Sequence, residues 1–250
     1  MKAFKYIAMS VIGLAMATAV SAETRITYKS AKTTSSYYQM AVQIAEAMKA
    51  GSKGDIIVTV EESQGSVQNV MESAVRPGNY VFTTPPVLVK LAKAGKAMFK
   101  DKQNPKFEDI RALFPIPSLT MHFVMSDKSG VTDFAGLEGK TILLGKGSFG
   151  AKEGAKYLKL FGLEGKVHLA QVELSNAGPA LKNGQIDGFV TAGSYPAPNV
   201  IEAAAGTGVH VLSLSDEQIA LTKRTKLVIP AGTYAGQKED ITTTSLPVVA

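Results

Sequence analysis

The residues in this chain with the clearest chemical potential are small ones. The stretch Thr141–Tyr157 reads TILLGKGSFGAKEGAKY: a short apolar run of strand length, Thr141–Leu144, the turn Gly145–Gly150, then helical composition over Ala151–Phe161. A strand feeding a Gly-rich turn and a helix leaves the first amides of that helix without partners. Those amides, the helix dipole and the Ser148 hydroxyl together suit a carboxylate or phosphate. The turn also spells G-x-G-x-x-G through Gly145, Gly147 and Gly150, which admits a dinucleotide, with Glu173 as the acidic residue at the end of the next strand. A tight turn that binds nothing is the third reading. Of the three, the anion-binding turn agrees best with the exported start of the chain.

Other chemistries find little support. His122, His168 and His210 are widely separated and have no metal-ligand spacing. There is no cysteine, so neither a disulfide framework nor a lipid-modified cysteine is available. No serine sits in a G-x-S-x-G elbow, and Asp133, Glu173 and Asp187 read as turn or strand-end residues. No metal, cofactor or catalytic nucleophile is expected.

The elements that would position these residues repeat one grammar. In the first half, Arg25–Lys29 is a strand, Ser30–Ser36 a polar turn, and Tyr37, Ala41, Ile44, Ala45 and Met48 mark a helix capped by Ser35 or Ser36 and followed by Gly51. Ile56–Val60 is a strand running into Ser63–Ser66 and a helix over about Val67–Val75; Tyr80–Thr83 is a strand leading to a helix over Val87–Ala94. In the second half come the strand Thr141–Leu144 and its helix, the strand Val167–Leu174 with a helix over Pro179–Asn183, and the strand Ile186–Val190 leading into the turn Thr191–Pro196. Alternating strands and helices imply an α/β protein of mostly parallel sheets, and two such units imply two lobes with a cleft. Ligands of open α/β sheets bind beyond the carboxyl ends of the strands. That rule selects Tyr37, Ser63, Gly65 and Ser66 in the first lobe and Ser148, Phe149, Gly150, Thr191, Ala192, Gly193 and Tyr195 in the second. Between the lobes, Ile110–Met125 is apolar, broken by Pro115 and Pro117, and reads as an extended crossover; Arg111 beside it could grip a carboxylate in bidentate fashion or support the hinge through an ion pair. A second crossover is expected near Leu227–Tyr234 or just beyond, so that the pair forms a hinge.

The start of the chain indicates the compartment. Lys2 and Lys5 precede the apolar run Ile7–Val20, and Val20-Ser21-Ala22 offers a small-residue cleavage pattern. Residues 1–22 therefore read as a secretory signal peptide, leaving about 228 residues for two modest lobes. The formal charge of +6 falls to +4 once Lys2 and Lys5 are removed. The remaining lysines are scattered without interleaved aromatics, which argues against a nucleic-acid partner. No later segment is long and apolar enough to span a membrane, so a soluble periplasmic protein is expected.

Several motifs in order resemble one family. These are Ser63-Gln64-Gly65-Ser66-Val67-Gln68-Asn69 (an S-x-G-S-x-x-N turn), Ile110–Leu113 with Met121–Val124, the Gly145–Gly150 turn, Phe189–Gly193, and Ile229–Tyr234 with Gly236–Asp240. Over nearly all of its mature length the chain resembles TAXI-family solute receptors of tripartite ATP-independent periplasmic (TRAP) transporters. The resemblance implies a two-lobe, periplasmic binding protein type II-like fold: signal peptide 1–22, lobe I over 23–118 with a return segment 229–250, and lobe II over 119–228. It implies capture of a small carboxylated solute, glutamate-like or a dicarboxylate, and delivery to a TRAP membrane subunit, without catalysis or cofactor. An exported, nucleotide-dependent enzyme using Gly145-x-Gly147-x-x-Gly150 is the alternative. Two departures stand out. The first-lobe turn Ser30–Ser36 carries Lys32 where the family has glycines, and the chain stops at Leu246–Ala250, where further closing elements are expected, so the C-terminal part reads as truncated.

Overall fold

Val, Ile, Thr and Tyr dominate the first strands, β1 (Thr24–Lys29) and β2 (Ile56–Glu61), as half-buried pleated surfaces favour. Between them runs α1 (Ser36–Gly51), whose N-cap is Ser35: its hydroxyl accepts the Tyr37 amide, and Tyr37, Ala41 and Ala45 form the buried stripe. The helix takes in Gly51, one residue more than its sequence implies. After α2 (Ser66–Glu72) and β3 (Tyr80–Phe82), α3 (Pro86–Lys93) starts with Pro86, a residue suited to a first helical turn. The first sheet has the order β2-β1-β3, all parallel. This computed structural model describes residues 23–146 and 148–250. The signal peptide expected over 1–22 and Gly147 of the glycine-rich turn lie outside the described residues.

The rest of the chain builds a larger sheet. Its elements are β4 (Pro115–Ser126), β5 (Thr141–Leu143), α4 (Phe149–Leu160), β6 (His168–Ala170), α5 (Ala177–Lys182), β7 (Gly188–Gly193), α6 (Pro198–Thr207), β8 (Val209–Val211), α7 (Asp216–Thr222), β9 (Thr225–Ile229) and β10 (Ile241–Val249). The strand order is β6-β5-β7-β4-β10-β9, with β8 also on β4. The β6-β5-β7 portion is parallel; β4 pairs antiparallel with β7, β8 and β10, and β9 antiparallel with β10. The architecture is thus α/β, with one parallel and one mixed sheet flanked by helices.

Two local expectations shift. Thr191–Gly193 forms no turn after a strand: these residues complete β7, paired through Thr191↔His122 to β4. The strand expected at Val167–Leu174 is only His168–Ala170, and Leu174 opens a short 3-10 turn. The elements α6, β8 and α7 lie in a stretch, Pro198–Thr222, to which the sequence reading assigns no element.

β4 and β10 are the long strands that connect the two sheets. Their ladder shifts register between Leu246 and Val248, around Pro247, opposite the stretch containing Pro115 and Pro117. Proline cannot donate to a ladder, so the pairing is weakened where the chain passes between the sheets. Most of β10 belongs to the larger sheet, and only Val249 bridges to Thr84 of the first. Along β4, Met121, Phe123 and Met125 enter one core while Val124 enters the core on the opposite face, as period-2 geometry demands.

Candidate functional site

The S-x-G-S-x-x-N turn frames the first lip of the cleft. Asn69, fully buried, donates Nδ2 to the carbonyls of Ser30 (2.7 Å) and Thr83 (2.9 Å), tying the ends of β1 and β3 together. The Ser63 hydroxyl donates to the Ser30 carbonyl (3.0 Å) and accepts from the Gly65 amide (3.0 Å). Gly65 has φ +118°, a conformation natural to glycine alone, and a Cβ there would sit 3.7 Å from the Ser148 Cβ. The lips of the two sheets meet at this point.

The second lip is set by α4. Ser148 is its N-cap and its hydroxyl accepts the Ala151 amide (2.9 Å). The amides of Phe149 and Gly150 have no partner among the described residues, as expected for a first helical turn. Gly150 and Gly154 let the helix lie against β7: a Cβ on Gly150 would be 2.7 Å from the Ala192 Cβ, and one on Gly154 would be 3.0 Å from Val190 Cγ1. Buried Glu153, held by Arg224 through Nε (3.0 Å) and Nη2 (2.9 Å), anchors the same helix.

Between the lips lies a cavity of about 80 Å³. Tyr37, Gly65, Ser66, Ser148, Phe149, Gly150, Thr191 and Ala192, all expected from sequence, line it together. α1 and α4 both begin at its wall, and neither carries an acidic residue in its first turn. Lys32 is the one ionic side chain among the described lining residues, its Nζ 3.6 Å from Glu62. The surroundings favour negative charge at both helix starts.

Four expected residues stand outside the lining. Ser63 is buried, its hydroxyl committed to the lip itself. Gly193 lies behind the wall, where a Cβ would approach Ser36 Oγ at 2.9 Å. Tyr195 is 37% exposed beyond the end of β7. Arg111 is remote: it lines a different groove and donates to the carbonyls of Glu108 and Ile110, because the crossover leaves the cleft only at β4. Glu173 is exposed beyond the end of β6 and does not line the cavity.

Asn199 is the polar contact that sequence reasoning missed. It sits in the first turn of α6, lines the cavity and donates Nδ2 to the Thr191 hydroxyl at 2.9 Å. The signal available was Pro198, a residue that marks the first turn of helices. Leu119 from β4 and Leu174 complete the apolar part of the wall.

Behind the cavity, His122 on β4 is fully buried. Its Nδ1 meets the Thr120 carbonyl (3.2 Å) and so carries the proton, while Nε2 accepts from the Tyr234 hydroxyl (2.9 Å), which in turn accepts the Ala197 amide (3.0 Å). Burial pushes His122 down to about 4 and Tyr234 up to about 12. Burial also drives the Tyr37 hydroxyl far above its ordinary value, so it remains a donor to the Pro117 carbonyl (3.1 Å). Among the described residues no cluster of three or more His, Asp or Glu could hold a metal, and no helix is long and apolar enough to cross a membrane.

Two sheets meeting at a cavity, joined by paired long strands, define the periplasmic binding protein type II-like class of fold. Residues 29–250 match the NMT1-like family, and the chain belongs to it. Solved structures share the fold. One is the alkanesulfonate-binding protein SsuA from Xanthomonas axonopodis pv. citri bound to MOPS (17% identity, 92% of this chain, 65% of that chain, TM-score 0.50). Another is an ABC uptake transporter substrate binding protein from Streptococcus pneumoniae with bound histidine (16% identity, 90% of this chain, 79% of that chain, TM-score 0.50). The chain spans about two thirds of the length of the first.

Proposed function

We propose that the protein is an extracytoplasmic solute receptor that holds a small carboxylated molecule in the cleft and passes it to a membrane transporter. The observation that carries this reading is the convergence of the α1 and α4 N-termini on one cavity whose sole ionic lining side chain, among the described residues, is Lys32. Free amides and one cation around an otherwise uncharged wall select an anion. A volume of about 80 Å³ admits at most a solute the size of the smallest amino and dicarboxylic acids unless the cleft opens further. Drug-sized ligands occupy pockets of roughly 300–1,000 Å³, so the same volume argues against a dinucleotide and the enzyme reading built on one.

In this reading the Phe149 and Gly150 amides receive the carboxylate, Ser66 and Thr191 offer hydroxyls, and the Tyr37 and Leu119 side chains exclude water. The lobes are 23–118 with the return segment 229–250, and 119–228. β10 pairs mostly within the larger sheet, and its register on β4 shifts between Leu246 and Val248, near the end that reaches the first sheet. Flexing β4 and β10 around Pro115, Pro117 and Pro247 would open the cleft. The resemblance to TAXI receptors supports a TRAP membrane partner and a secretory leader. The S. pneumoniae fold relative, described as belonging to an ABC uptake transporter, supports an ABC importer as the second reading.

A thermal-shift screen over amino acids, dicarboxylates and alkylsulfonates tests the solute class. Stabilisation by a carboxylate and not by its amide is expected. Stabilisation by neutral solutes alone overturns the reading. Co-purification with TRAP or ABC membrane subunits then separates the two partners.

A further inference from the structure

α6 starts without a capping side chain: Ala197 is its N-cap, and the Ala197 carbonyl accepts the amides of Val200 and Ile201 at 3.0 Å each. What holds this start in place comes from another part of the chain. The Ala197 amide donates to the Tyr234 hydroxyl (3.0 Å), and that hydroxyl donates its own proton to His122 Nε2 (2.9 Å). A phenol has one proton to give, so with the imidazole proton on Nδ1 every atom of the chain has a single possible role. The two rings meet edge to face, centroids 5.9 Å apart, and both side chains are buried.

Tyr234 belongs to the loop between β9 and β10, 37 residues along the chain from Ala197. Gln237 braces that loop from within: its Oε1 accepts the Tyr234 amide (3.1 Å), and its Nε2 donates to the carbonyls of Pro230 (2.9 Å) and Glu239 (2.8 Å). The phenol is therefore presented by a fixed backbone. His122 also pairs across the β4–β7 ladder with Thr191, whose hydroxyl accepts from Asn199 Nδ2. His122, Tyr234, Ala197, Asn199 and Thr191 thus close a circuit, and its last two members line the cavity.

We propose that Tyr234 is a positioning residue for the cleft: its hydroxyl seats the start of α6 and so aims Asn199 and Thr191 at the solute, without touching the solute itself. Tyr234 does not line the cavity. Side chains that bind a ligand need a supporting layer of hydrogen bonds to fix their direction, and Tyr234 supplies one at a helix start that has no cap of its own. Removing the hydroxyl leaves the Ala197 amide without an acceptor and His122 Nε2 without a donor, and burial makes each of these costly enough to force movement. Ala197 and Asn199 share the beginning of α6, so a displacement of one carries the other. The effect on affinity rests on the solute reading of the cleft; the seating of Asn199 does not.

Tyr234→Phe keeps the ring and removes only the hydroxyl. In the nitrogen-15-labelled full chain without solute, the Asn199 side-chain amide signals should shift and their hydrogens should exchange faster than in the unaltered protein. In calorimetric titrations with malonate and succinate, at a temperature where both proteins are fully folded, the variant should bind about fivefold more weakly, the worth of one misdirected hydrogen bond. A purely structural role would lower the melting temperature and move neither readout. In an Asn199→Ala background, Tyr234→Phe should cost no further affinity, because its effect passes through that contact. Gln237→Ala loosens the loop without altering the core and should shift the Asn199 signals in the same direction by less, which keeps the test decisive if Tyr234→Phe does not fold. Unshifted Asn199 signals in the folded variants, or affinity losses that add fully to that of Asn199→Ala, overturn the proposal. If neither probe binds the unaltered protein, the solute reading is what fails, and the Asn199 signals alone decide the seating.

Discussion

Asn199 Nδ2 donates to the Thr191 hydroxyl across 2.9 Å, joining the first turn of α6 to the end of β7 at the cavity wall. With its oxygen engaged, the threonine hydroxyl is left to donate its proton towards the cavity. Asn199→Ala should remove this orientation and leave a buried polar group underused, costing about 1–2 kcal/mol. Solute-induced stabilisation should fall with it. Thr191→Val should act through the same contact, so the double variant should be less than additive. Additive losses in calorimetric titrations would show that the two residues act separately.

Ser148 and Gly150 separate capping from packing. Ser148→Ala removes the acceptor for the Ala151 amide and should cost about 1 kcal/mol of stability while weakening anion binding. Gly150→Ala instead places a methyl 2.7 Å from the Ala192 Cβ and should destabilise by about 1–3 kcal/mol with or without ligand. Urea titrations of both variants, with and without solute, check the distinction; a Gly150→Ala protein of normal stability contradicts the close packing of α4 on β7.

The Arg224–Glu153 pair should prove structural. Both groups are mostly buried, with side-chain exposures of 19% and 10%, and removal of one partner strands the other. Arg224→Ala should cost about 3 kcal/mol, measured by chemical denaturation. A loss under half a kilocalorie per mole would place the pair effectively in solvent.

The acid limb of stability should depend on His122. Its folded-state value is lowered by burial from 6.5 to about 4, so between these values the unfolded chain binds the extra proton. Stability contributed by neutral His122 is therefore complete above about pH 6.5 and lost progressively as pH falls towards 4, by about 3 kcal/mol in total. His122→Gln should flatten that limb relative to the unaltered protein, with carboxylates and the other histidines common to both. Parallel limbs over pH 4–7 would rule His122 out as the cause.

Local signals carried much of the site. Ser148, between a Gly-rich turn and a helical stretch, and the pair Ser35 and Ser36 before α1 stand out at helix starts, because capping is a short-range interaction; the structure makes Ser148 and Ser35 the caps. Ser63 and Gly65 stand out by their motif, although Ser63 supports the lip where the motif suggested contact with solute. Arg111 was misplaced because proximity along the chain to a crossover says nothing about which side of the hinge the guanidinium occupies. Asn199 was overlooked because its partner, Thr191, belongs to a strand that looked like a turn; only its pairing with β4 reveals the strand.

By itself the sequence determined the α/β class, the doubled strand-turn-helix order and the capped helix starts, all encoded over a few residues by hydrophobic period, glycine and hydroxyl placement. Tertiary structure alone decided that β4 and β10 run together through the larger sheet and that α1 and α4 start at one cavity. Those outcomes depend on pairings between residues more than a hundred positions apart, such as Thr120 with Ser245, which no local pattern specifies.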